Sequence, residues 1–144
     1  MKTRILGAAL GIAVLSGLLV ASPAQARDGV ASASVPPYRD LGGGSVRATV
    51  DFVSRKKVVV RNFTVRDICP GDNAPVKARF VWVHTDSTTG SSAWRKDTNG
   101  CGSHGTNFGN ITRTGTKPIR KVYLHLEVGT RAFALSAVQD NQYT

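Results

Sequence analysis

The feature that most constrains the fold of this chain is a strict two-residue alternation in the segment Ile119–Val128, IRKVYLHLEV. From Val122 to Val128 every second side chain is apolar, and charged or ring-bearing side chains stand between them. Because successive side chains of a β-strand point to opposite faces, this pattern predicts a strand with one buried and one solvated face. No segment after Ser45 has a helical period, so the domain is expected to consist of strands.

Similar patterns predict several further strands. The segments Ser45–Ser54 and Val76–His84 alternate in the same way, with Lys77 and Arg79 on the wet face of the latter. The segment Val58–Cys69 is rich in β-branched residues but changes parity, which predicts a β-bulge near Arg61–Asn62.

Turns and loops separate these strands. The segment Thr85–Ser92 is polar and predicts a long loop. Gly129–Thr130 predicts a two-residue hairpin with glycine first, followed by a return strand that carries Phe133 and Leu135 on one face.

Several short alternating strands in about 100 residues predict an all-β fold, an antiparallel two-sheet β-sandwich of immunoglobulin-like or Greek-key type. An immunoglobulin domain proper fits less well. Trp82 follows Cys69 by 13 positions, as that pattern requires, but Cys101 follows Cys69 by only 32. Asn99 also stands where the tyrosine of that pattern is expected.

The first 26 residues have the organisation of a secretory signal peptide. Lys2 and Arg4 precede an uncharged apolar run of 16 residues, Ile5–Val20, and Ala24-Gln25-Ala26 forms a small-x-small cleavage motif. The run is shorter than the roughly 20 residues of a membrane-spanning helix. We therefore expect cleavage after Ala26 and a secreted, extracellular chain without a membrane span.

The chain beyond Ala26 has 17 basic and nine acidic residues. We expect residues 27–44, which contain two consecutive prolines and three consecutive glycines, to be a flexible N-terminal segment. Residues 45–144 are expected to form the β-sandwich domain, whose oligomeric state the sequence leaves open.

The stretch Gly100–Gly105, GCGSHG, admits three interpretations. It matches the dinucleotide-binding pattern, but that site needs a helix after the glycines, and TNFGNITRTGTKP predicts none. A catalytic Cys101–His104 pair needs a free thiolate. In an oxidising compartment the two cysteines of the chain, Cys69 and Cys101, are expected to form a disulfide instead. The glycines then permit a tight turn.

No catalytic constellation stands out in the remaining sequence. There is no G-x-S-x-G motif, and the acidic residues are few and scattered. His84, Asp86 and His104 would be ligands of a metal site only if the fold gathered them. We therefore expect no enzyme activity, no metal and no cofactor, and a pocket gathering these three side chains would favour a small extracellular hydrolase.

Basic residues are the best functional indication. Candidate anion-binding residues are the turn Arg55-Lys56-Lys57, the strand residues Lys77 and Arg79, and Lys121. The alternative is that these charges serve solubility and protect strand edges. Trp94, in or beside a polar loop, is a candidate partner contact, with capping of the core as the alternative. Only Tyr123 is interleaved with the charges, so nucleic acid is not the expected ligand.

The layout resembles small secreted β-rich proteins of high-GC Gram-positive bacteria. The residues that carry the resemblance are VRDICPGDNAPVKARFVWV (Val65–Val83), the following NGCG, and the terminal AVQDNQYT. Such proteins often carry a second cysteine pair near the last hairpin, and this chain has none there. The resemblance implies secretion and a β fold but no specific function.

These observations predict a secreted, basic β-sandwich that binds an anionic cell-wall polymer or an extracellular protein. The alternative is a secreted inhibitor of an extracellular enzyme that presents a rigid loop such as Thr85–Ser92.

Overall fold

A computed structural model of the chain describes residues 28–39, 41–70, 75–102, 104–130 and 132–144. The predicted signal peptide and its cleavage site lie outside the described residues. Within those ranges the chain forms strands and turns, and no helix there is long and apolar enough to cross a membrane. The strands are β1 (Gly29–Val35), β2 (Gly43–Ser54), β3 (Lys57–Ile68), β4 (Val76–His84), β5 (Thr89–Ser91), β6 (Arg95–Lys96), β7 (Thr106–Asn107), β8 (Ile111–Thr114), β9 (Ile119–Val128), β10 (Ala132–Leu135) and β11 (Gln139–Asp140).

The strands form two antiparallel sheets that pack together. In the five-stranded sheet the order is β1-β2-β3, and both β7 and β8 pair with the far side of β3. In the six-stranded sheet the order is β10-β9-β4-β5, with β11 also paired to β9 and β6 also paired to β4. The prediction of an all-β fold of two antiparallel sheets is confirmed.

The core consists of the inward-facing side chains of both sheets. The predicted alternation of β9 is confirmed, since its apolar positions from Val122 to Val128 are buried and the positions between them are partly exposed. Phe52 and Phe63 from one sheet and Phe80 from the other are each almost completely buried. Burying such a side chain contributes about 1.5–3 kcal/mol, so the packing of the two sheets is the main source of stability.

The predicted β-bulge of β3 is also present. The register between β2 and β3 shifts, because Arg47 pairs with Thr64 whereas Thr49 pairs with Arg61. Asn62 takes up the extra residue in the left-handed region, at φ 51°. The bulge lets Val60 and Phe63 both point into the core although their parities differ.

Within the segment expected to be flexible, residues 27–44, the structure instead has a strand over Gly29–Val35. Strand β1 pairs along its whole length with β2, from Gly29 opposite Val50 to Val35 opposite Gly44. Ala31 and Ala33 are buried in the core. Alanine and serine have little β-strand preference, so the two-residue period of this segment was not recognised.

Two connections also differ from expectation. The segment Thr85–Ser92 is not one long loop, because Thr89–Ser91 pairs with β4 and only a short turn remains before it. Gly90 is needed there, since a Cβ atom at this position would lie 2.5 Å from the ring of Trp82. After β9, Val128 pairs with Ala132, so the hairpin connection contains three residues rather than two.

The predicted disulfide between Cys69 and Cys101 is present. It links the end of β3 to the loop before β7 and lies at the protein surface rather than in the core. The turn character of this loop is confirmed, because Gly100 and Gly105 have φ values of 73° and 68°. Since the chain has only these two cysteines, no free thiol is left for catalysis.

Candidate functional site

The outward face of the six-stranded sheet gathers charged and aromatic side chains. Paired residues of an antiparallel sheet project to the same side. One row across β10, β9 and β4 is therefore Phe133, Glu127 and Lys77, and the next row is Leu135, His125 and Arg79. Tyr123 occupies the row beyond. We call the surface formed by Lys77, Arg79, Trp94, Tyr123, His125, Glu127 and Phe133 the cation–aromatic face.

Trp94 reaches this face from the loop between β5 and β6. Both ends of the loop are fixed to β4: the amide of Ser92 donates to the carbonyl of Phe80, and Arg95 pairs with Ala78. The ring of Trp94 then lies over the side chains of β4, with Lys77 Nζ at 4.7 Å and Arg79 Cζ at 4.3 Å from its centroid. Cation–π contacts of this kind hold the indole on the sheet surface.

His125 lies between two aromatic rings at the centre of the face. Its ring centroid is 5.2 Å from that of Trp94 and 6.0 Å from that of Phe133, in edge-on arrangements. Partial burial, together with the nearby charges of Arg79 and Lys77, lowers the pKa of His125, and Glu127 acts against this shift. The imidazole is therefore neutral at pH 7 and serves as a third ring.

The charges of the face do not cancel. Lys77 Nζ lies 2.9 Å from a carboxylate oxygen of Glu127. Arg79 has no ion pair within the described part of the chain, and its guanidinium lies 3.3 Å from the hydroxyl of Ser91. Lys96, opposite Lys77 on β6, adds a further exposed cation to the same face. The face therefore combines net positive charge with aromatic surface.

The face also exposes apolar surface. Phe133 is 69% exposed and Leu135 is 53% exposed. A depression of about 430 Å³ opens beside Phe133, and its lining includes Arg79, Tyr123 and His125. A second depression lies on the other side of Phe133, against Glu127 and His125. Exposed aromatic rings between open depressions and cations are typical of binding surfaces rather than of inert ones.

The predicted basic residues fall into separate groups. Lys77 and Arg79 lie at the centre of the cation–aromatic face, and Lys121 lies at its margin, where it pairs with Asp140 of β11. The turn Arg55–Lys57 is elsewhere. The carbonyl of Arg55 accepts a hydrogen bond from Ile119, which is six residues, or about 20 Å, along β9 from His125.

Sequence reasoning missed one member of the face, an exposed cation beside it and the role of Trp94. Phe133 was assigned to a strand face of unknown direction, and its pairing with Glu127 turns it outward. Lys96 was not singled out. Trp94 was considered apart from the cations, so Tyr123 seemed to be the only aromatic ring among them; the premise of that argument against nucleic acid was wrong.

The three candidate metal ligands are not brought together. His84 is buried, and its Nδ1 lies 3.0 Å from the carbonyl of Pro118. Hydrogen bonds from Lys117 and Thr88 hold the pKa of Asp86 well below its usual range. His104 lies instead on the outer side of the five-stranded sheet. Within the described ranges, no group of three or more His, Cys, Asp or Glu side chains is placed to hold a metal ion.

No family model, curated protein or solved structure gives a significant match to this chain. A function therefore has to be inferred from the chemistry of its surfaces, and the cation–aromatic face is the best developed of them.

Proposed function

We propose that this chain is an exported, non-enzymatic binding protein whose cation–aromatic face binds an anionic polysaccharide of the cell envelope. One observation carries the proposal. The indole of Trp94 is held over Lys77 and Arg79, next to the exposed ring of Phe133.

The two kinds of side chain match the two parts of an acidic sugar polymer. Aromatic rings offer large apolar surfaces at low cost in side-chain entropy, and the C–H faces of sugar rings pack against such surfaces. Lysine and arginine form charge-assisted hydrogen bonds with carboxylate or phosphate groups. Because the face is open and extends over β10, β9 and β4, it suits an extended chain better than a small molecule enclosed in a pocket.

Export is supported by independent features. The N-terminal segment has signal-peptide organisation, and the two cysteines are joined in a disulfide, a bond typical of oxidising compartments. The resemblance to small secreted proteins of high-GC Gram-positive bacteria points the same way. A location at or outside the cell envelope would place the protein among anionic polymers.

The test is retention of the purified protein on immobilised polygalacturonate as a function of salt, beside a basic protein of matched size and charge. Neutral dextran and duplex DNA serve as comparison matrices. We expect retention on polygalacturonate to higher salt than the control protein shows, and no retention on dextran. Stronger retention on DNA than on polygalacturonate would overturn the assignment in favour of a nucleic-acid ligand.

Variants then locate the site. Trp94→Ala should weaken binding about 10- to 100-fold, as expected for loss of one stacking ring, whereas Trp94→Phe should retain most of the affinity. Arg79→Gln should also weaken binding and reduce its salt dependence. Arg55→Gln removes the same charge far from the face and is the matched control. Equal losses for Arg79→Gln and Arg55→Gln would show that net charge alone governs retention.

A further inference from the structure

The opposite side of the sandwich carries a second charged surface of different chemistry. On the outer face of the five-stranded sheet, a depression of about 500 Å³ is lined by side chains that include Arg47, Thr49, Asn62, Thr64, Arg66 and His104. We propose that this depression, the oxyanion hollow, binds a phosphate or sulfate group. The proposal is independent of the polysaccharide proposed for the cation–aromatic face, since the two surfaces belong to different sheets.

The strand register brings the two guanidinium groups together. Arg47 pairs with Thr64, and Ser45 pairs with Arg66, so all four side chains project outward from β2 and β3. Arg47 and Arg66 are diagonal neighbours, with a separation of about 7–8 Å between their backbone positions. A tetrahedral anion between them is within reach of both side chains and of the intervening hydroxyl groups.

A further nitrogen-bearing side chain, that of His104, comes from a braced loop. The guanidinium of Arg66 donates from Nε to the carbonyl of Gly102, at 2.8 Å. The side chain of Asn99 donates to the carbonyl of Gly105, at 2.6 Å, and the disulfide at Cys101 ties the same loop to the end of β3. His104 is therefore presented by a segment fixed on both sides, and binding needs little ordering of the chain.

The charge of the hollow is not compensated within the described part of the chain. Its lining contains no carboxylate. Arg47 makes no hydrogen bond or ion pair with any described residue, and Arg66 keeps its terminal N–H groups after the contact with Gly102. Asp51, which lies on the same face of β2 as Arg47, is paired with Arg61. Two neighbouring guanidinium groups without a carboxylate partner repel each other, and an anion between them offsets that repulsion.

The donor set favours a tetrahedral oxyanion. Guanidinium groups bind phosphate through two parallel hydrogen bonds. The hydroxyl of Thr49 can donate one further bond, whereas the hydroxyl of Thr64 donates to the carbonyl of Asn62. The donors come from β2, from β3 and from the loop, so they approach from three directions. Three-dimensional acceptors such as phosphate and sulfate can satisfy donors arranged in this way, whereas a planar carboxylate leaves some of them unpaired.

The test is a titration of the folded protein with inorganic phosphate, followed by ¹H–¹⁵N NMR at constant ionic strength, with chloride as the reference anion. We expect saturable shifts that cluster at Arg47, Thr64, Arg66 and His104. Arg47→Gln should weaken phosphate binding at least about tenfold, the factor that corresponds to one charge-assisted contact. Arg120→Gln, which removes an exposed arginine at the far end of β9, should leave it unchanged.

Linear shifts spread over all basic residues, or equal effects of Arg47→Gln and Arg120→Gln, would overturn the proposal. Because the side chain of Arg47 makes no hydrogen bond or ion pair with other described residues, its variant is expected to fold, and a thermal melt verifies this. Titrations with poly(glycerol phosphate) and with dextran sulfate are run in the same way. Tighter binding of either polymer than of its free anion identifies an ester group as the natural ligand, and equal binding identifies the free anion. Trp94→Ala should leave phosphate binding intact, so failure at either surface can be recognised separately.

Discussion

The two outer faces of this sandwich are made by the same strand alternation but have opposite character. On the six-stranded sheet, Lys77 is paired with Glu127, and the ring of Trp94 covers both Lys77 and Arg79. On the five-stranded sheet, Arg47 is uncovered and lies among hydroxyl side chains. The first face offers ring surfaces with partly compensated charge, and the second offers bare guanidinium groups.

The difference comes from the segments beside the sheets rather than from the strands. The loop between β5 and β6 is fixed to β4 at both ends and lays Trp94 over the sheet. The loop between β6 and β7 is held by the disulfide at the margin of the other sheet and contributes His104 without covering Arg47. Strand register therefore selects which residues face outward, whereas the flanking loops decide whether their charges are covered.

The largest expected effect is the loss of the disulfide. Replacing both cysteines by serine should lower the free energy of unfolding by about 3–4 kcal/mol, because the bridge closes a long loop in the unfolded chain. Phosphate binding should also fall more than polygalacturonate binding, since the bridge braces the loop of the oxyanion hollow. Urea denaturation measures the first effect, and phosphate and polygalacturonate binding below the transition measure the second. Equal loss of both affinities would show that the disulfide supports the two faces alike.

Asp97 connects the two sheets through hydrogen bonds. Its amide donates to the carbonyl of Val76 in the six-stranded sheet, and its carboxylate accepts from the amide of Asp67, at 2.7 Å, in the five-stranded sheet. The hydroxyl of Thr106 and the amide of Asn99 donate to the other carboxylate oxygen. Asp97→Asn should therefore cost about 2–3 kcal/mol and disturb both faces, unlike loss of the disulfide.

Asp97 should also make the stability of the fold depend on pH. Burial raises the pKa of Asp97, but the hydrogen bonds from Thr106, Asp67, Asn99 and Thr98 outweigh it and leave that pKa below its usual value. Its stabilising contribution is therefore complete above about pH 4, the unfolded value, and is lost as the pH falls through the lower folded value. Denaturation of Asp97→Asn between pH 2 and 6 should show a flatter profile than the original chain. An unchanged profile would contradict this assignment.

The period of β9 predicted its buried face because large apolar side chains alternate with charged ones. Strand β1 was missed for a physical reason, since Ala31 and Ala33 bury little area and serine between them carries no charge. Its place is set instead by pairing with β2 and by the contact of Gly43, where a Cβ atom would lie 2.3 Å from the carbonyl oxygen of Val35. Neither is visible in a pattern of hydrophobicity.

The candidate faces were predictable only in part. Lys77 and Arg79 lie on the same face of β4 because of its two-residue period, and this was predicted correctly. The position of Trp94 depends on backbone hydrogen bonds at both ends of its loop, and the direction of Phe133 depends on a hairpin connection of three residues rather than two. His104 lines the same depression as Arg47, and this depends on the disulfide that ties its loop to the end of β3. Contacts between segments distant in sequence leave no local pattern.

A smaller effect concerns the titration of His125. Glu127→Gln should lower the pKa of His125, because the carboxylate favours the imidazolium, and Lys77→Gln should raise it. Both shifts should be small, because the groups are partly exposed and water screens their interaction. NMR titration of the imidazole protons measures both changes. Since burial depresses the folded pKa, His125 destabilises the fold as the pH drops below about 6.5, the unfolded value. Shifts of equal sign in the two variants would show that packing, not charge, controls the ring.

The smallest effects should come from the two ion pairs, one on each face. Double-mutant cycles for Lys77–Glu127 and for Arg61–Asp51 should each give a coupling of about 0.2–1 kcal/mol, since all four side chains keep contact with water. The two ion pairs differ because the ring of Trp94 covers Lys77 in one of them. The ring of Trp94 covers part of Lys77, so Trp94→Ala should reduce the coupling of that pair and increase its screening by salt. The Arg61–Asp51 coupling, on the other sheet, should not respond to Trp94→Ala. If both couplings change equally, the indole acts on overall stability rather than by covering one face, and the proposed contrast between the two surfaces is lost.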